Sequence, residues 1–293
     1  MGKRVAPFLI LLAAILWGTT GTARSFAPDS AHPIAIGAVR LAIGGMFLLV
    51  IVALQGKINF KNLLILPTFI AALCMALFQP FFFTAVAKAG VAIGTVVAIG
   101  SAPIFAGLIE WIVLKIRPAK VWWYSTILAI VGCQMLFIHK DSVPIDPLGI
   151  VMALGAGLSF ASYTLLNRSL VVHHPPLSVV AIVFSISALY LSPFLFIFDL
   201  SWLGAVEGIV VSLHLGIMAT GIAYLFFTKG LVHVPPSTAV TLSLAEPLTA
   251  TLLGVFLLGE KLTITSWFGI FLLLLGIGIL IRAESKAVKS EYP

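Results

Sequence analysis

Apolar stretches of about 20 residues, the length that crosses a bilayer as a helix, recur from one end of this chain to the other. They fall near 7–26, 33–54, 63–86, 91–114 and 121–138, then near 148–170, 177–197, 205–227, 235–258 and 264–281. Breakers mark the short connections: Pro28-Asp29, Gly56-Lys57, Arg117-Pro118, Pro144, His174-Pro175-Pro176 and Asp199. Hydrocarbon offers no partner to a free backbone N–H or C=O, so such segments span as helices. The pattern predicts an all-α integral membrane protein of ten transmembrane helices. Only 9% of the 293 residues are charged, against about 25% in soluble domains, too few to coat a water-facing surface. The spans leave no room for a soluble catalytic domain. The opening MGKRVAPFLILLAAILW is read as an uncleaved first helix.

One offset, 144 residues, relates the two halves. It carries Pro103 onto Pro247, Phe82-Phe83-Thr84 onto Phe226-Phe227-Thr228, Ala106 onto Ala250, Trp123 onto Trp267 and Gly132 onto Gly276. Matching Pro, Trp, Gly and Phe-Phe-Thr at a single offset predicts two five-helix repeats, 1–140 and 141–293. With the N-terminus in the cytoplasm, Lys3, Arg4, Lys57, Lys61, Lys115, Arg117, Lys120, Arg168, Lys229, Arg282, Lys286 and Lys289 lie inside. Only Arg24, Lys88, Lys140 and Lys261 lie outside. The bias predicts a multi-pass protein of the cell (inner) membrane with both termini cytoplasmic. An odd number of spans per repeat then inverts the second repeat relative to the first, as in many secondary transporters, whose site lies at the midplane between repeats. The formal charge of +7 would suit nucleic acid, but it is spread over short loops and reads as topology; no nucleic-acid partner is expected.

Polar residues inside the spans are the candidate site. Glu246 lies mid-span with Pro247 after it, and a charge there costs about 2.5–3.5 kcal/mol on insertion scales. Ser243, Thr249 and Ala250 share its face, and Pro247 frees the Ser243 carbonyl. Glu246 is either a protonatable or substrate-contacting acid, or a structural group that caps the backbone or pairs with Arg40. Arg40, in the second span, either binds an anionic group or ties helices together. Trp17 and Thr20 in the first helix, Tyr163 in the sixth, and Gln79, Thr84, Tyr224 and Thr228 suit an apolar pocket with a few orienting groups; helix packing explains each equally well. Pro103 and Pro247 mark kinked helices that would serve as gates. Glu110 reads as snorkelling or pairing near Lys115 and Arg117, and His214 and His233 as structural. Cys74 and Cys133 read as packing residues.

No Walker A loop, GxGxxG, HExxH or GxSxG is present. No catalytic residue, metal or cofactor is expected, and the driving force would be an ion gradient, exchange or the substrate's own gradient. Protons are the candidate coupling ion, with Glu246 their carrier. The partners expected are the lipid bilayer and a small-molecule substrate. Ten helices can enclose a site alone, so a monomer is expected, with a dimer the other arrangement.

The chain resembles the EamA family of the drug/metabolite transporter superfamily. Trp17-Gly18, His32-Pro33, Arg40-Leu41 and Ser101-Ala102-Pro103 carry the resemblance in the first half. Ala245-Glu246-Pro247, Leu258-Gly259-Glu260-Lys261-Leu262-Thr263, Gly269 and Gly276 carry it in the second. Where a Gly-Glu pair would follow the fourth helix, Lys115-Ile116-Arg117-Pro118 stands instead. The resemblance implies a ten-helix inner-membrane transporter, not an enzyme. Members export amino acids, related metabolites or toxic compounds, and some import. Export of amino acids or related small metabolites is therefore expected. Efflux of cationic drugs and uptake of a metabolite are the alternatives, with a membrane enzyme or non-transporting partner protein more remote.

Overall fold

The computed structural model describes residues 2–55, 64–137, 146–259 and 261–290. Lys57, Lys61, Lys140, Pro144 and Glu260 lie outside them. Five helices make up the first half: α1 (Ala6–Ser25), α2 (Pro33–Leu54), α3 (Ile65–Ala89), α4 (Val91–Val113) and α5 (Lys120–Phe137). Then come α6 (Pro147–Val171), α7 (Pro176–Leu191) and the short α8 (Phe194–Ile197). The next rod runs through α9 (Val206–Leu213), a π-helical segment His214–Ile222 and α10 (Ala223–Leu231). It is followed by α11 (Pro236–Leu242), α12 (Ala245–Leu258) and α13 (Ile264–Ser290).

Prolines start many of these helices. Pro33, Pro147, Pro176 and Pro236 each stand in a first turn, where the missing N–H costs nothing. Gly90 alone joins α3 to α4; its φ of 83° lies where a side chain would be strained. Gly259, at φ 70°, ends α12 by donating its N–H to the Gly254 carbonyl. Asp146 caps α6: its Oδ1 accepts the Leu148 N–H at 2.9 Å, while Oδ2 meets Lys88 Nζ at 3.1 Å. That N–H first, and then the lysine, hold the Asp146 carboxyl below its usual range. A depressed carboxyl stabilises the fold above its unfolded pKa, and the gain is lost as pH falls through the folded value. Asp146→Asn should therefore melt lower than wild type at neutral pH, with the difference vanishing in acid. A pH series of melting curves checks this.

Polarity is inverted relative to a water-soluble domain. Leu54, Phe196, Phe256 and Ile264 stand exposed on the outside, while Arg40, Gln79, Glu110 and Asn167 are buried within. Exposed apolar surface of this kind suits lipid rather than water. Among the described residues, nine helices are long and apolar enough to span a membrane. The segment expected at 177–197 is shorter. Its helix α7 has 16 residues, about 24 Å of rise, and stops because Pro193 has no N–H with which to continue the ladder.

The packing follows a cross-over pattern. α1 lies against the α9–α10 rod and α12, while α6 lies against α3 and α4. α2 pairs with α7, and α5 with α13. Glycines allow the closest approaches. A Cβ on Gly132 would stand 2.6 Å from the Gly269 carbonyl, and one on Gly276 would stand 2.7 Å from that of Ser125. Cys133 is buried and Cys74 half-buried, and both are free thiols.

Candidate functional site

A cavity of about 250 Å³ lies between the halves. Trp17 and Thr20 of α1, Arg40 of α2, Gln79 of α3, Tyr224 of α10, and Ser243, Glu246 and Pro247 at the α11–α12 break all line it. Ala98 and Ala102 of α4 and Phe137 of α5 complete the wall.

The acid owes its position to a broken helix. α11 stops at Leu242 and α12 begins at Ala245. Pro247 has no N–H for the Ser243 carbonyl, as its place in the sequence predicts. That carbonyl is not left free: it accepts the Glu246 N–H at 2.9 Å in a tighter turn. Glu246 thus sits in the first turn of α12, where the helix dipole favours a negative charge. Pro103 behaves differently. It lies inside the unbroken α4 and does not line the cavity, although its neighbour Ala102 does.

Arg40 faces the π-helical segment. Its Nε donates to Thr220 Oγ1 at 3.0 Å and one Nη to the Ala219 carbonyl at 3.3 Å. The Thr220 hydroxyl in turn donates to the Leu215 carbonyl at 2.8 Å, five residues back, the span of the π register. Arg40 thus ties α2 to the rod, with part of its five-donor fork left over. Among the described residues it makes no ion pair with Glu246, although their charges interact across the cavity. Close by, Thr19 donates to the Leu16 carbonyl at 2.7 Å and meets His214 Nε2 at 2.8 Å. Its one proton is used, so His214 Nε2 is the donor.

Aromatic rings form the apolar side. Trp17 packs on Tyr224, Phe227 and Phe160 with centroids 4.7, 5.2 and 5.7 Å away. Two donors of the lining are orphans: Trp17 Nε1 and Gln79 Nε2 are buried without a hydrogen-bond partner.

Three sequence candidates lie elsewhere. Tyr163 and Thr228 are fully buried behind the wall, both reached by Asn167 Nδ2, at 3.1 and 2.9 Å. Thr84 is half-buried on α3 and outside the lining. The sequence reading missed Asn167, one turn past Tyr163 within the same apolar stretch. It also missed Arg24, counted as a loop charge. Arg24 lines the cavity and stands over the Phe83 ring, 5.5 Å from its centroid.

Glu110 overturns its expectation. It is 4% exposed, and its Oε2 accepts the Ser237 N–H at 3.1 Å rather than reaching the surface near Lys115. Arg168 donates to the Val232 carbonyl, and Thr238 to Glu284 Oε1 at 3.2 Å. Three helices, α4, α6 and α13, thus clasp the α10–α11 turn. Leu231, Val234 and Ser237 of that turn and its flanks are buried. No group of three or more His, Cys, Asp or Glu suited to a metal occurs among the described residues.

The EamA-like transporter family model matches residues 4–138 and again 147–282. The chain belongs to the EamA-like transporter family. A relative in Bacillus subtilis (strain 168), the uncharacterized transporter YwfM, is 50% identical over 291 residues, 99% of this chain and 98% of its own. The threonine/homoserine exporter RhtA of Escherichia coli (strain K12) is 28% identical over 289 residues, covering 96% and 94%. A solved crystal structure superposes with a TM-score of 0.83 at 20% identity, covering 95% of this chain and 99% of that one, a likeness of fold alone. This EamA chain is a multi-pass membrane transporter.

Proposed function

We propose that the chain is a secondary transporter of the inner membrane that exports amino acids or related small metabolites by alternating access. The observation that carries this reading is a small cavity holding one half-buried acid, Glu246, and one buried guanidinium, Arg40, beside a helix broken at that acid. Its volume of about 250 Å³ falls below the range of about 300–1,000 Å³ common for drug-sized ligands, which favours a small metabolite over a bulky cationic drug. The relative RhtA, a threonine/homoserine exporter, points the same way.

The architecture in this reading is ten spans in two inverted repeats, 1–140 and 141–293, with both termini cytoplasmic. The family model matches twice, once in each half. The 144-residue offset also carries the Gly132–Gly269 contact onto neighbouring contacts of the same pair of helices: Gly276 corresponds to Gly132, and Ser125 to Gly269. α7 supplies the tenth span as the counterpart of α2, against which it packs.

Alternating access needs one end shut while the other is open. The clasp on the α10–α11 turn is the shut end. Glu110→Ala removes the acceptor for the Ser237 N–H and should loosen it. With Cys74 and Cys133 replaced, a Val234→Cys thiol should label at least about threefold faster in the Glu110→Ala background. Equal rates would show that the turn is not a gate.

The function itself is tested by a growth challenge. Cells overproducing the chain meet a panel of toxic amino acids, amino-acid and purine analogues and cationic drugs. Protection against the amino-acid class supports the reading. Sensitisation reverses the direction to uptake, and protection only against cationic drugs replaces the substrate class.

A further inference from the structure

We infer that Trp17, Gln79 and Arg40 form a subsite for the carboxylate of a zwitterionic substrate, with Glu246 of the same cavity for its ammonium group. This rests on the reading of the cavity as a transport site and specifies which end of the substrate each wall reads.

Burying an N–H without an acceptor is costly, and most buried polar groups in proteins are satisfied. Here two residues that line one cavity each carry such a donor: Trp17 Nε1, in a residue 4% exposed, and Gln79 Nε2, in a residue 1% exposed. Arg40, 8% exposed, lines the same space with part of its fork unused. The surroundings bring the three together. The Gln79 carboxamide packs on Gly37, where a Cβ would stand 3.1 Å from Oε1. Gly37 is three residues before Arg40 and so on the same face of α2. Trp17 packs on Tyr224, which lines the same cavity as Arg40.

Three donors, one of them charged, call for an acceptor with negative charge. Trapped water would satisfy the two neutral N–H groups but would bring the guanidinium no negative charge at contact distance. A carboxylate answers both needs, since it takes up to four hydrogen bonds and pairs with the arginine fork. The acid at the α12 N-terminus then stands in the same cavity without an ion-pair partner among the described residues, which suits a primary ammonium. A molecule carrying both charges on one small skeleton meets both Arg40 and Glu246; one carrying either charge alone meets only one of them.

The test uses the purified full-length chain and reads tryptophan fluorescence, to which Trp17 contributes directly. The probes are neutral L-amino acids, each with its methyl ester, which lacks the carboxylate, and its deaminated acid, which lacks the ammonium. The expected result is binding of at least one amino acid about tenfold or more tighter than of its ester and its deaminated acid. Gln79→Glu keeps the side chain's size but sets an acid against the carboxylate. It should erase the preference over the ester, while Gln79→Met, which only removes the donor, weakens it. Binding of amino acids with no such preference, or a preference untouched by Gln79→Glu in a variant whose melting curve matches wild type, overturns the subsite and leaves the transporter reading standing. Absence of binding by every amino acid, with transport of another class in the growth panel, overturns both the subsite and the amino-acid reading.

Discussion

Glu246→Gln should leave the protein folded and abolish transport driven by a pH gradient. The change is nearly isosteric, so the cavity wall and the broken helix keep their shape. What disappears is the one carboxylic acid among the described residues of the cavity lining. An amide cannot carry a proton across, and it offers an ammonium group a neutral acceptor in place of a charged one. Charge-assisted hydrogen bonds contribute about 1.5–3 kcal/mol, so counterflow of a bound substrate should fall about tenfold to a hundredfold even without a gradient. Proteoliposomes containing only this protein give both numbers, with and without an imposed pH difference. Undiminished pH-driven flux would end the coupling role of Glu246. Lost gradient response with normal counterflow would confine that role to proton carriage.

Gly18→Ala should be nearly as damaging, from a position that carries no chemistry. A Cβ at residue 18 would stand 2.5 Å from Thr249 Cβ and 2.7 Å from the Glu246 carbonyl oxygen. Neither is the yielding tip of a long side chain, so α1 must move off α12. Overpacking of this kind costs about 1–3 kcal/mol. The displacement would also separate Trp17 from the helix that carries the acid, so transport should drop more than stability does. Thr249→Ala should not rescue it, because the Cβ and the backbone carbonyl remain. Melting curves and flux on the single and double variants check this; wild-type flux in Gly18→Ala would show that α1 and α12 slide freely.

Membrane embedding and family membership were legible in the chain because both are local. Hydropathy over about 20 residues decides whether a segment can enter lipid, whatever its neighbours do. Glu246 and Pro247 likewise announce themselves by residue type: a charge costs free energy in hydrocarbon and a proline breaks a ladder wherever the segment packs. Which face of each helix meets the cavity was not legible. These helices are apolar nearly all round, because lipid and protein core both accept apolar side chains, so no stripe of hydrophobicity points inward. Tyr163 and Thr228 look like cavity residues on paper, yet the fold turns them toward Asn167. Arg24 looks like a loop charge and lines the cavity, and Glu110 looks like a surface acid and clasps a turn 127 residues away. The π register at His214–Ile222, which sets Ala219 and Thr220 before Arg40, also exists only through packing. Composition and spacing determined that the chain lives in a membrane and keeps an acid there. The tertiary structure alone decided which donors were left without partners around that acid, since a hydrogen bond is satisfied or orphaned only once every helix is in place.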